Sequence, residues 1–177
     1  MDPVGHALSA YLLWTGFTRL RLGRPPTTPE AWVLALGSQL PDLVDKPLAW
    51  SLGVLPAGRS LGHSLVTAAV LLVVLRRVLP PARRRLLAPL AVGVVSHDLL
   101  DAVAPLSRGE PAYVAYLLWP LIEQPPYDPP PPLLSAFGAS LLGGVSGADA
   151  AALAVVLAVW LADGAPGVPR RRDTGTE

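Results

Sequence analysis

The chain has 177 residues, one domain's worth, and its 14 basic and 13 acidic residues leave a net charge of +1, which offers no field for nucleic acid. Charged residues make up 15% and hydrophobic residues 51%, and mean hydropathy is +0.45; an ordinary soluble domain carries about 25% charged residues, so a bilayer is the expected solvent. Cysteine is absent, which excludes disulfides, Cys-ligated metals and thiol nucleophiles, and the 21 prolines and 16 glycines call for short or broken helices.

Residues 3–18 are expected to form a first apolar helix, opened by Asp2-Pro3 and ending in the basic run R-L-R-L-G-R-P-P (19–26). The opening M-D-P-V-G-H lacks the basic start of a secretory signal, so it is expected to belong to the mature protein. Thr28 as cap and Pro29 predict a second helix that runs to Leu40 and stops at Pro41. Residues 47–58 read as a hairpin or surface helix. An apolar helix is expected from Gly62 to Leu79, closing at Arg76, Arg77 and Pro80, and another from Leu86 to Val103, after R-R-R (83–85). Residues 111–122, with Tyr113, Tyr116 and Trp119-Pro120, have the composition of a membrane interface.

The run P-P-Y-D-P-P-P-P (125–132) predicts an extended polyproline strut. Residues 133–143 are apolar and rich in small side chains, and S-G-A-D (146–149) predicts the start of a last helix to Leu161. The fold class expected is all-α, a compact multi-helix integral membrane bundle over residues 1–163, with a polar, disordered tail over 164–177. No segment is a clean span of about 20 apolar residues, and a soluble bundle with an apolar interior is the competing reading.

Only three histidines are present, at 6, 63 and 97. His97 and Asp101 are four residues apart on a predicted helix, so both project from one face and can hold a cation between them. Asp98 points about 100° away and is expected to pair elsewhere. Within G-S-Q-L-P-D-L-V-D-K-P (37–47), Asp42 and Asp45 are expected in a turn after Pro41, where Lys46, Arg59 or a bound cation would relieve their repulsion. The basic clusters at 19–24, 76–85 and 170–172 are read as cytoplasmic loops in contact with lipid headgroups. The connectivity then carries His6, Asp42, Asp45, His63, His97 and Asp101 to one rim, on the extracytoplasmic side. Ionisable residues gathered within a membrane bundle point to function.

D-P-x-x-H, G-S-x-L-P-D-L-x-D, H-S-L and S-H-x-x-x-D, in this order, resemble the membrane-bound metal-dependent hydrolase family, which includes bacterial inner-membrane proteins regulated by the LexA repressor. The resemblance covers about residues 2–123. The order of His and Asp residues is also similar to the zinc site of secreted zinc-dependent phospholipase C. That likeness implies Asp45 or Asp42, His63, His97 and Asp101 as ligands of one zinc, and His6 with a bridging Asp101 as part of a second site. It also departs from that enzyme, because no further His pair or His-x-x-x-Glu follows His97. One metal, or at most two, is what these residues support.

Two imidazoles with one or two carboxylates suit Zn2+ with a position left open for water, and a bound divalent cation brings that water's pKa near 7. The expected function is hydrolysis of a phosphoester in a lipid or lipid-linked substrate at the inner membrane. Asp45 is expected as a direct ligand, Asp42 as general base or as a carboxylate behind the ligands, and Arg59 as the group that neutralises an anionic substrate. The alternatives are a non-catalytic membrane protein with a structural metal site, and a cytochrome with two of the histidines on haem.

Overall fold

In the computed structural model, which describes residues 3–127, Ser135 and 147–168, all regular structure among the described residues is helical. The helices are α1 (Pro3–Leu22), α2 (Thr28–Lys46), α3 (Leu65–Val78), α4 (Leu87–Ser107) and α5 (Gly147–Ala162). A π turn (Pro47–Ser51) follows α2, and 3-10 segments (Pro81–Leu86 and Pro111–Leu118) flank α4.

Local chemistry moves several boundaries. α1 runs past Thr18 to Leu22. α2 is capped one residue earlier than expected, at Thr27, whose N–H donates to the Glu30 carboxylate at 2.8 Å. Arg24 clamps that carboxylate from the other side at 2.7 and 2.8 Å. Pro41 does not stop α2: it lies buried inside the helix, which continues to Lys46. Proline forfeits one intrahelical hydrogen bond, and packing offsets the loss, because Gly62 lies directly over Pro41 with no room for a Cβ. The break comes instead at Pro47, in a π turn. α3 begins at Leu65 rather than Gly62, because the Ser64 hydroxyl accepts from Val66 and Thr67 N–H. α4 carries Pro105 within its last turn and ends at Ser107 rather than near Val103.

Residues 47–58 form the π turn and an irregular loop, neither a hairpin nor an α-helix. The expected strut is non-helical over 125–127, and its remainder, like 136–143, lies outside the described residues. Ordered structure continues beyond residue 163. Gly167 N–H donates to Thr28 Oγ1 at 3.2 Å, and the Trp160 indole donates to the Pro166 carbonyl at 3.1 Å. The tail from 169 onward lies outside the described residues.

α2 packs most extensively on α4, and α1 lies against both. Gly37 and Gly93 make the α2–α4 crossing: a Cβ at Gly93 would stand 2.7 Å from the Leu34 carbonyl oxygen, and one at Gly37 2.8 Å from that of Leu90. Close approach through small residues is how helices associate where no hydrophobic drive separates them from lipid. An apolar core of Ala10, Tyr11, Trp14, Leu34 and Val156 joins α1, α2 and α5. α5 is pinned by Asp163, whose buried carboxylate accepts from Tyr11 Oη at 2.7 Å, Thr15 Oγ1 at 2.6 Å and Arg19 Nε at 2.8 Å.

The burial pattern runs inside out. Among the described residues, buried polar and charged side chains outnumber buried apolar ones, while Leu13, Leu20, Trp32, Val78, Leu121 and Leu161 are more than half exposed. A soluble surface seldom presents so much apolar area. The one described stretch long and apolar enough to cross a bilayer is Pro81–Ser107, with hydropathy 1.6.

Candidate functional site

The chain reverses direction at each connection, so the start of α1, the end of α2, the residue preceding the α3 cap and the second half of α4 meet at one end of the bundle. They bring together His6, Asp42, Asp45, His63, His97 and Asp101, with Arg59 from the loop before α3. His6, His63, His97, Asp45 and Asp101 are buried.

His63 Nδ1–H donates to Asp45 Oδ2 at 2.8 Å. His97 Nδ1–H donates to the Ser38 carbonyl at 2.7 Å, across the α2–α4 crossing. Both acceptors lack a hydrogen, so each Nδ1 is committed as the donor, and in the neutral imidazole each Nε2 presents a lone pair. These two Nε2 atoms face each other at 3.2 Å. Asp42 Oδ1 lies 3.4 Å from His63 Nε2 and 3.8 Å from His97 Nε2. Asp101 Oδ2 lies 3.7 Å from His63 Nε2. Lone pairs and carboxylate oxygens converging in a buried pocket repel unless a proton or metal cation lies among them. Burial opposes a charged His63, yet the Asp42 and Asp45 carboxylates outweigh it and hold its pKa above the ordinary histidine value.

The donor set fits a zinc-like ion. Two nitrogens bound at 2.0–2.1 Å on a tetrahedral ion stand about 3.3 Å apart, close to the 3.2 Å between the Nε2 atoms. Two triads have ligand atoms within 4.8 Å of one another: Asp42, His63 and His97, and His6, His97 and Asp101. They share His97, whose Nδ1 is already committed, so its Nε2 can serve only one ion. At 3.2 Å the Nε2 atoms of His63 and His97 stand too close together to lie on opposite faces of a haem.

The two aspartates of α2 have different surroundings. Asp45 is fully buried behind His63, with Oδ1 taken by Gly62 N–H at 2.7 Å and Oδ2 by Ser60 N–H at 2.6 Å and by His63. Asp42 turns Oδ1 toward the imidazoles, while Oδ2 accepts from Lys46 Nζ at 2.5 Å. The continuous helix produces this: three residues apart on α2, the two carboxylates sit on neighbouring sectors at different heights. Asp101 lies between His6 Nε2, 3.2 Å from Oδ1, and Arg59 Nε, 2.6 Å from Oδ2. The His6 ring stacks on His97 at 3.8 Å between centroids.

The sequence profile of the YdjM inner membrane protein family matches residues 1–165. The chain belongs to that family. No curated protein and no solved structure matches it. Membership places the bundle in the inner membrane, in keeping with its exposed apolar side chains, and sets aside the soluble reading.

Three contributors escape sequence reasoning. Ser38 acts through its carbonyl, which any residue would supply; the nearby Gly37 was the available signal of a close approach. Tyr116 donates to the Asp98 carbonyl at 2.8 Å and sets its ring edge-on to His63. Asp98 was expected to find a partner, yet it is fully buried and neither carboxyl oxygen has a hydrogen-bond partner among the described residues. An unpartnered polar group at such depth costs about 1–3 kcal/mol, a cost that tends to persist where function requires it.

Proposed function

We propose that this YdjM-family protein is a metal-dependent hydrolase that acts on a phosphoester of a lipid or lipid-linked substrate. The observation that carries the reading is the facing pair of Nε2 lone pairs on His63 and His97, with Asp42 Oδ1 beside them. His63, His97 and Asp42 hold one divalent ion, Zn2+ by the chemistry of the donors, and leave a position open as catalytic zinc sites do. Such an ion supplies Lewis acidity and a water acidic enough to ionise near neutral pH.

The remaining roles belong to the chain itself. Asp45 and the Ser38 carbonyl fix the tautomer and orientation of the two imidazoles, as partners of metal-binding histidines generally do. Asp101, held by Arg59 and His6, places a carboxylate beside the open side of the cluster, where it can orient a water. Arg59, with 39% of its side chain exposed, reaches from this buried carboxylate toward solvent and meets the substrate's anionic group. The positions of the basic loops support an extracytoplasmic site.

The test is elemental analysis of protein purified without added metal, followed by turnover of phospholipids and lipid phosphates with and without chelator. About one zinc per chain and chelator-sensitive hydrolysis are expected. Bound metal unchanged in the His63→Ala, His97→Ala double variant would overturn the site. Metal without turnover would leave a structural role.

A further inference from the structure

The end of the bundle opposite the histidine cluster carries positive charge that nothing in the fold balances. The carboxylates that reach this end, Glu30 and Asp163, are already clasped by Arg24 and Arg19. The turn between α3 and α4 adds Arg76, Arg77, Arg83, Arg84 and Arg85, and the chain has no Asp or Glu from residue 46 to residue 97. Among the described residues, the ion pairs of arginine and lysine belong to Arg19, Arg24, Lys46, Arg59 and Arg108, so the five guanidiniums of the turn stand without a counter-ion. Arg76, Arg77, Arg83 and Arg85 are exposed. The turn that presents them is preformed: Pro80 and Pro81 open the 3-10 segment, Arg83 N–H donates to the Pro80 carbonyl at 2.9 Å, and Arg84 Nε donates to the Leu79 carbonyl at 3.2 Å.

An apolar stripe leads into this turn. α3 buries only Ala68, and Val70, Val73, Val74 and Val78 are exposed at 59%, 58%, 49% and 69%. Their spacing is that of one helical face, and Arg77 falls on the same face, about 10 Å along the axis from Val70. A ligand that covers this face is apolar along the valines and anionic at the arginines. A nucleic acid or an acidic peptide would match the guanidiniums and leave the valines bare, whereas a phospholipid matches both. Membership of an inner membrane protein family puts lipid beside α3, and guanidinium is the side-chain group best shaped for phosphate.

We propose that the α3–α4 turn and the valine stripe form a binding site for an anionic phospholipid of the adjoining leaflet, its phosphate held by the arginines and an acyl chain lying along α3. This site lies at the opposite end of the bundle from the metal cluster and stands whether or not the cluster hydrolyses anything.

The absence of cysteine allows one local reporter. Val74→Cys carries a bimane in the full-length protein reconstituted into phosphatidylcholine vesicles, and brominated phosphatidylglycerol and brominated phosphatidylcholine are compared as quenchers. Val103→Cys, 56% exposed on α4 toward the histidine cluster, is the control. Phosphatidylglycerol should be favoured roughly tenfold or more at position 74 and less than about twofold at position 103, because each basic side chain near the headgroups contributes up to about fivefold. Arg77→Gln and Arg85→Gln should each reduce the preference by roughly twofold to fivefold, and Arg83→Gln, Arg84→Gln, Arg85→Gln together should bring it close to parity. Arg77 and Arg85 hold no hydrogen bond or ion pair among the described residues, so the single variants keep the fold even if the loss of the Arg84 bond loosens the turn. Equal quenching by the two lipids at position 74, the same preference at position 103, or a preference that survives the arginine variants would overturn the proposal. Relief of quenching by an oligonucleotide or by polyglutamate would also overturn it, and would give the face to a soluble polyanion.

Discussion

Gly93→Ala tests whether the α2–α4 crossing sets the geometry of the site. The added methyl would meet the Leu34 carbonyl oxygen at 2.7 Å, Ser38 N at 2.8 Å and Gly37 C at 2.9 Å, where ordinary contact begins at 3.4 Å. All three are backbone atoms, so no side chain can swing aside and the helices must move apart. Overpacking of this kind costs about 1–3 kcal/mol. The same movement pulls the Ser38 carbonyl from His97 Nδ1, a hydrogen bond of 2.7 Å worth about 1 kcal/mol. At about 2–4 °C per kcal/mol for a chain of this size, Tm should fall by roughly 4–16 °C. Gly16→Ala is the control, because nothing lies within 4 Å of its added methyl, and the gain in helix propensity should raise stability by up to about 1 kcal/mol. The measurement is thermal unfolding of both variants in one detergent, with zinc content of the folded protein. Gly93→Ala with wild-type Tm and full zinc occupancy would refute the argument that this contact positions His97.

Asp42→Asn should empty the metal site, whereas Asp45→Asn should weaken zinc by roughly 10- to 100-fold while leaving a loadable site; competition with a calibrated chelator separates the two. Asp98→Leu removes a buried carboxyl that has no hydrogen-bond partner among the described residues and should raise stability by about 1–3 kcal/mol in thermal unfolding; a loss of turnover in this stabilised protein would mark Asp98 as kept for activity. The absence of cysteine permits topology mapping with single thiols. Leu52→Cys, exposed at the site end, should react with an impermeant maleimide in intact cells, and Pro81→Cys only after lysis. The opposite pattern would place the site in the cytoplasm.

The order of helices and the shared end of His6, His63, His97, Asp42, Asp45 and Asp101 were legible because prolines, caps and basic runs punctuate the chain. Helix ends were less so, since Pro41 reads locally as a stop and only Gly62 packed above it shows why the helix continues. The same misplacement hid which carboxylate of Asp42 and Asp45 faces the imidazoles, because a turn leaves either one free and a helix does not. The Ser38 carbonyl and the unpaired Asp98 depend on how α2 crosses α4. Residues far apart in the chain settle that crossing, and no local pattern encodes it.

Ser64 uses one hydroxyl for two tasks, capping α3 and gripping the Trp119 carbonyl. The cap is available as soon as Thr67 has been made, but Trp119 lies 55 residues beyond Ser64, and Gln124 meets Ser60 across 64. His6, Asp42, Asp45, His63, His97 and Asp101 are therefore all synthesised before Trp119 and Gln124, the partners that brace Ser64 and Ser60. A chain emerging N-terminus first passes through an interval in which the cluster can assemble while open on that side. The interval ends when Trp119 and Gln124 reach Ser64 and Ser60, so the brace on the segment behind His63 forms only after every side chain of the cluster has been made.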